Sequence, residues 1–144
     1  QHCTKANNVL PINGDPLTMN LNGLVLTNIQ QSPYYQTGLS QMTLHSQLVD
    51  EIYYQVKHLE PWERGTRQVG FLLNRLHKLL HFLQVVGLTG MCGGVRGVGS
   101  GGVISTAFCV LYKLFALRMT RRQLISMINS RKSPYVRGIG FLYI

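Results

Sequence analysis

Apolar residues recur along this chain mostly at helical intervals, and one stretch of them organises the rest. Val103, Ala107, Val110, Leu111, Leu114 and Phe115 share one helical face, while Ile104, Phe108 and Leu117 make the other faces apolar too. Only Ser105 and Lys113 interrupt them, so the pattern predicts a centrally buried helix over about 103–117. A glycine-dense run leads into it. Eight of the fifteen glycines lie between Gly87 and Gly102, which lets that loop take positive φ or accept a close backbone approach. The clearest amphipathic stripe is Leu44, Leu48, Val49, Ile52, Tyr53 and Val56, with Gln47, Asp50, Glu51, Gln55 and Lys57 opposite. Glu60-Pro61-Trp62 ends that helix, because the residue before a proline is pushed out of the helical region.

Shorter elements are set by start and stop signals. Asn22 is an N-cap for a helix over Leu24 to Gln30. Ser32-Pro33-Tyr34-Tyr35 puts a cap residue before a proline at the first helical position, and Ser133-Pro134-Tyr135 repeats the device, opening a terminal helix with Val136, Ile139 and Tyr143 on one side. Thr120 and Gln123 match a capping box for a helix from Arg121 to Asn129. Residues 1–18, with Pro11, Gly14 and Pro16, read as an extended arm. No segment alternates at period two beyond short ambiguous runs such as Val85-Val86. The expected fold is all-α: one compact domain of six or seven helices packed around the 103–117 helix.

Composition narrows the class. A hydrophobic content of 45% with 13% charged residues excludes a disordered chain, and 144 residues suffice for one domain with a real core. Fourteen Lys and Arg against five acids leave a net charge of +9, which suits a polyanion such as RNA or an acidic protein surface. Arg118, Arg121, Arg122, Arg131, Lys132 and Arg137 crowd the last third beside Tyr135 and Tyr143. They read either as a phosphate-contacting face with stacking rings or as a solvated surface over core tyrosines, and no RNA-binding signature accompanies them. Cys3, Cys92 and Cys109 are odd in number and form no C-x-x-C, which points to neither zinc nor a disulfide framework and fits a reducing compartment. No signal peptide is visible, and no uncharged apolar run reaches about eighteen residues, so no membrane span is expected. The missing initiator Met and the end at Ile144, inside an expected helix, give the look of a fragment.

Motifs for chemistry are mostly negative. Gly97-Val98-Gly99-Ser100-Gly101-Gly102 satisfies G-x-G-x-x-G, but no strand precedes it and Arg122 stands where a ribose-binding acid belongs. No Lys-Ser or Lys-Thr comes after it to make a P-loop, and the run reads as a tight loop packed under neighbouring helices. His77 and His81 share a helical face without a third ligand, and His45 and His58 stand alone. Asp50 and Glu51 are adjacent and point to different sides of their helix. The expectation is a protein without catalytic activity, cofactor, metal or small-molecule substrate.

A resemblance sharpens this. N-V-L-P-I-N-G to residue 14, T-M-N-L-N-G-L-V-L-T-N-I-Q (18–30), S-P-Y-Y (32–35), V-D-E-I-Y-Y (49–54), E-P-W-E-R-G (60–65), T-G-M-C-G-G-V-R-G-V-G-S-G-G (89–102), S-T-A-F-C-V-L-Y-K-L (105–114) and S-P-Y-V-R-G-I-G-F-L-Y-I (133–144) stand in order. Together they resemble the N-terminal domain of the pre-mRNA-splicing factor 38 family, nearest its B-type branch. The resemblance implies a helical, non-enzymatic nuclear scaffold of the spliceosome, acting around tri-snRNP activation, with spliceosomal proteins as partners and RNA close by. The alternative is a direct RNA-binding module using the basic C-terminal third. Family motifs mark Glu60, Trp62, Gly93, Gly94, Arg96, Gly97, Gly99, Tyr135 and Arg137 as structural or interaction residues; Arg118, Arg121, Arg122, Arg131 and Lys132 are candidates for contact with RNA or an acidic partner.

The chain departs from the family in two places. The further helix and the Arg/Ser-rich tail that usually continue beyond F-L-Y-I are missing from this sequence, and Val69 to Gln84 is an added block where the family has a short link. As protein, Leu72, Leu76, Leu79, Leu80 and Leu83 make an amphipathic helix with Arg75, His77, Lys78 and His81 opposite, whose exposed leucines need a partner surface. As nucleotide sequence, the block fits a translated short intron. Val69 begins with GT, Gln84 permits a terminal AG, Leu73-Asn74 permits a CTAAC branch sequence, and removing the sixteen codons restores T-R-Q-V-V-G-L-T-G-M-C-G-G.

Overall fold

The structure, a computed structural model, describes residues 8–12, 14–63 and 102–144. Within them lie five α-helices: α1 (Gly23–Gln31), α2 (His45–Gln55), α3 (Thr106–Leu117), α4 (Arg121–Ile128) and α5 (Pro134–Tyr143). A π-helical turn, Tyr34–Gly38, and a 3-10 turn, Leu39–Gln41, join α1 to α2. The described residues form no strand, only two isolated antiparallel bridges, Val9 with Thr120 and Trp62 with Ile104. The fold is all-α, as the periodicity predicts. None of the described helices is long and apolar enough to cross a membrane.

Local signals account for most helix ends. The Asn22 side chain accepts from Leu24 N at 2.9 Å and starts α1. Thr120 and Gln123 close the predicted capping box: Gln123 N donates to Thr120 Oγ1 at 3.3 Å, and Thr120 N donates to Gln123 Oε1 at 2.8 Å. Asn129 is the C-cap of α4 and lies just outside the helix, whereas the sequence pattern includes it.

The central helix is where the expectation needs most correction. It begins at Thr106, three residues later than the apolar pattern suggests. Ser105 is its N-cap, accepting from Phe108 N at 3.3 Å with an extended backbone, and Val103 and Ile104 lie outside the helix. The β-branched pair pairs instead with Pro61–Glu63: Glu63 N donates to Val103 O and Ser105 N donates to Pro61 O, both at 2.9 Å. Burial of α3 is as expected. Thr106, Ala107, Cys109, Val110, Leu111 and Leu114 are all buried, and α3 packs against α1, α2, α5 and both intervening turns.

The α2 stripe is narrower than its pattern. Leu48, Ile52 and Val56 are fully buried, whereas Leu44 and Tyr53 remain 59% and 47% exposed. Leu44 precedes the first helical turn and Tyr53 sits beside Tyr54 in an edge-to-face pair, centroids 5.0 Å apart, on the outer surface. Burial holds the His45 imidazole, at the start of α2, below its usual pKa; its Nε2 lies 3.3 Å from Met127 Sδ at the end of α4.

The first residues described are pinned to the body. Leu10 N donates to Met119 O at 2.9 Å and Arg121 N to Asn8 O at 3.0 Å, so the arm crosses the α3–α4 junction.

Candidate interaction surface

Two places gather the residues that sequence reasoning singled out. The first is the Glu60–Glu63 elbow, where the chain leaves α2 and meets the start of α3. Trp62 is 9% exposed and belongs to the core, paired with Ile104. Glu63 is buried beside it. One of its carboxylate oxygens accepts from Thr106 N, the first helical N–H of α3, at 3.3 Å; the other lies 3.0 Å from His58 Nε2. Glu60 N donates to His58 Nδ1 at 3.2 Å, which leaves Nε2 as the protonated nitrogen facing Glu63. A carboxylate at a helix N-terminus sits against the positive end of the macrodipole, so this buried charge is compensated twice. Sequence reasoning named Glu60 and Trp62, missed Glu63 and left His58 isolated. The available signal was a carboxylate directly after a proline-tryptophan turn, but its partner lies 43 positions away.

The second place is the α3–α4 junction with the basic residues. Arg118, Arg121 and Arg122 are exposed there, Arg118 with a left-handed φ of 56° as the C-cap of α3. Arg131 and Lys132 are also exposed, but at the opposite end of α4, a helix about 12 Å long. The basic residues of the last third therefore fall into two groups, one at each end of α4. Arg137 is half-buried and its guanidinium donates to Ser130 O at 2.7 Å, bracing the turn between α4 and α5. Among the described residues no arginine or lysine forms an ion pair.

Of the two readings of Tyr135 and Tyr143, the structure fits core tyrosines, since both are engaged inside the fold. Tyr143 stacks on Phe115 with centroids 4.7 Å apart, and its hydroxyl accepts from Met119 N at 3.2 Å. Tyr135 packs on the core, and its N–H donates to Ser133 Oγ.

Between the arm, α3, α4 and the end of α5 lies an open apolar groove of about 320 Å³. Leu10, Met19, Phe115, Leu124, Leu142 and Ile144 line it, with Leu142 and Ile144 43% and 71% exposed. Met19 and Asn20, both lining residues, hold left-handed backbones with φ of 52° and 56°. Nothing in the sequence marks this groove, because it forms from four segments far apart in the chain.

Gly93, Gly94, Arg96, Gly97, Gly99, His77, His81 and the 69–84 block lie outside the described residues. Among the described residues no group of His, Cys, Asp and Glu could hold a metal.

The PRP38 family matches residues 10–144 of this chain. Pre-mRNA-splicing factor 38B of Rattus norvegicus and that of Homo sapiens are each 49% identical over 140 residues, 97% of this chain and 23% of theirs. Pre-mRNA splicing factor SR-like 1 of Arabidopsis thaliana is 31% identical over 132 residues, 92% of this chain and 25% of its own length. The chain thus spans about a quarter of the length of these relatives. No solved structure matches it.

Proposed function

The chain belongs to the PRP38 family, and from that premise we propose that it serves pre-mRNA splicing as a non-enzymatic interaction domain of the spliceosome. It works in the nucleus among tri-snRNP proteins as the spliceosome is activated. The observation that carries this reading is 49% identity to a named splicing factor across 97% of the chain. The buried polar groups support a scaffold. Glu63, Ser105 and Ser133 all hold helix N-termini, which commits them to structure.

The test is co-precipitation from nuclear extract with the tagged chain at moderate salt, reading snRNAs and associated proteins, in two versions with and without residues 69–84. Recovery of tri-snRNP components by either version supports the reading, and failure of both overturns it. Recovery by the shortened version alone marks the inserted block as disruptive, as a translated intron would be.

The exposed Arg118, Arg121 and Arg122 favour a second reading, direct binding of RNA. Salt separates the two. Contacts to several phosphates weaken steeply as salt rises, whereas an interface centred on apolar residues persists.

A further inference from the structure

We propose that the solvent-facing side of α4, with Arg121 and Arg122 at one end and Arg131 and Lys132 just past the other, binds the sugar-phosphate backbone of double-helical RNA. The inference rests on the second reading above, direct RNA binding, and names the face, the form of the RNA and the mode of contact.

Exposure along α4 follows one side of the helix. Arg121, Arg122, Ile125 and Ser126 are exposed, Gln123, Leu124 and Ile128 are partly buried, and Met127 belongs to the core. Arg122, Ser126 and Asn129 are spaced by four and three residues, so they form one stripe, with Arg121 and Ile125 beside it. The helix is about 12 Å long, and after its C-cap, Asn129, the turn into α5 carries Arg131 and Lys132, both exposed. The face is thus two pairs of cations with a hydroxyl and an amide between them, groups that contact phosphates and sugars.

These four cations have no use inside the fold, whereas others do. The Arg137 guanidinium donates to Ser130 O at 2.7 Å and Lys113 Nζ to Ser40 O at 3.2 Å. Among the described residues the side chains of Arg121, Arg122, Arg131 and Lys132 make no hydrogen bond or ion pair. Nor does the sequence hold an acid near them: no Asp or Glu follows Glu63 in it. Glu63 faces His58, Glu51 accepts from the Tyr34 hydroxyl at 2.7 Å, and Asp15 accepts from Leu17 N and Thr18 Oγ1. Asp50 and Glu60 belong to α2 and the elbow. Arg121 and Arg122 also occupy the first turn of α4, where positive charge opposes the helix dipole and no acid offsets it. An arrangement that costs the helix stability is left to an external anion.

Three observations choose that anion. The face holds one aliphatic side chain, Ile125, whereas a protein interface has an apolar centre depleted of charge. No aromatic residue occurs from Arg121 to Lys132, and Tyr135 and Tyr143 are packed on the core, so the bases of a single strand find nothing to stack on. A duplex needs neither feature. Its backbones are regular and its shallow groove displays 2′-hydroxyls, so a rigid helix with cations at both ends touches separated phosphates while Ser126 and Asn129 meet the sugars between them.

The experiment is fluorescence anisotropy with the full chain and three labelled probes: an RNA duplex, oligouridine of the same length and an oligoglutamate peptide. The duplex is expected to bind at least about tenfold more tightly than either of the others. Arg121→Ala with Arg122→Ala should weaken it about tenfold, and so should Arg131→Ala with Lys132→Ala, each pair lowering the slope of log affinity against log salt by about 2. Lys57→Ala, which removes an exposed cation after α2, should leave it within about twofold. Circular dichroism checks that each variant folds. Loss in only one of the double variants overturns the proposal, because the duplex would not span the face. Equal loss in Lys57→Ala overturns it as unspecific ion exchange, and oligoglutamate bound as tightly as the duplex overturns it in favour of an acidic protein partner. Oligouridine bound as tightly as the duplex removes this inference and leaves the reading of direct RNA binding standing; if neither RNA binds, both fall.

Discussion

The tripeptide Ser-Pro-Tyr occurs twice, at 32–34 and at 133–135, and the two copies do different things. Ser133 comes after an exposed turn and is free to adopt an extended backbone, φ −146° and ψ 130°. Its hydroxyl oxygen accepts from Tyr135 N and Val136 N, and a regular helix begins there with Val136 and Ile139 buried. Ser32 is already engaged. Its N–H donates to Ile29 O at 3.1 Å to finish α1. No side chain caps the Tyr34–Gly38 turn, which is π-helical, with the Thr37 hydroxyl donating back to Pro33 O and the Ser40 hydroxyl to Gln36 O. The wide turn delivers Leu39, fully buried, to the core. The same three residues thus start a helix where the preceding chain leaves the serine unused, and a tertiary anchor takes over where it does not.

The largest test of this contrast is Leu39→Ala. If packing and not capping holds residues 33–41, the variant loses about 3 kcal/mol in urea denaturation. In the second region the tight spot is a glycine. A Cβ on Gly140 would stand 3.2 Å from Ile128 Cγ1 and 3.3 Å from Met127 Cβ, so Gly140→Ala should cost about 2 kcal/mol by overpacking. Gly38, in the first region, has only Tyr34 ring carbons near, at 3.7 and 3.8 Å, and Gly38→Ala should be neutral or stabilise by about 0.5 kcal/mol. Next come the serines. Ser133→Ala should cost about 1 kcal/mol and Ser32→Ala at most a few tenths, and equal losses would break the contrast.

The smallest expected effect is a pH dependence. His45 touches Met127, which packs beside Gly140, and burial keeps its folded pKa below 6.5. The unfolded chain therefore takes up the proton first. This contribution is flat above the unfolded value, and stability declines as pH falls from about 6.5 to the folded pKa and levels off below it. Denaturation midpoints between about pH 7 and 5 should fall less in His45→Gln than in the parent.

The sequence is most legible where structure is local. The capping box at Thr120, the Asn22 cap and the apolar wrap of α3 can all be read from neighbours within four positions. The misreadings share one cause. Val103 and Ile104 look helical until Pro61–Glu63 offers them backbone partners, and Leu44 and Tyr53 carry the right period but are left exposed by the described elements. The basic cluster is continuous in sequence yet divided by the length of α4. The groove has no local signature, since each wall comes from a different segment.

The paired ends at Pro61–Glu63 and Val103–Ser105 have a consequence in terms of heredity. The chain leaves this clamp at Glu63 and returns to it at Val103, and for a flexible connection the cost of inserted length alone would grow only as its logarithm. By that measure alone, sixteen residues more or fewer would change the closure term by about 0.5 kcal/mol. A gene encoding such a clamp can lose or acquire codons in multiples of three at that point with little penalty to the helices on either side.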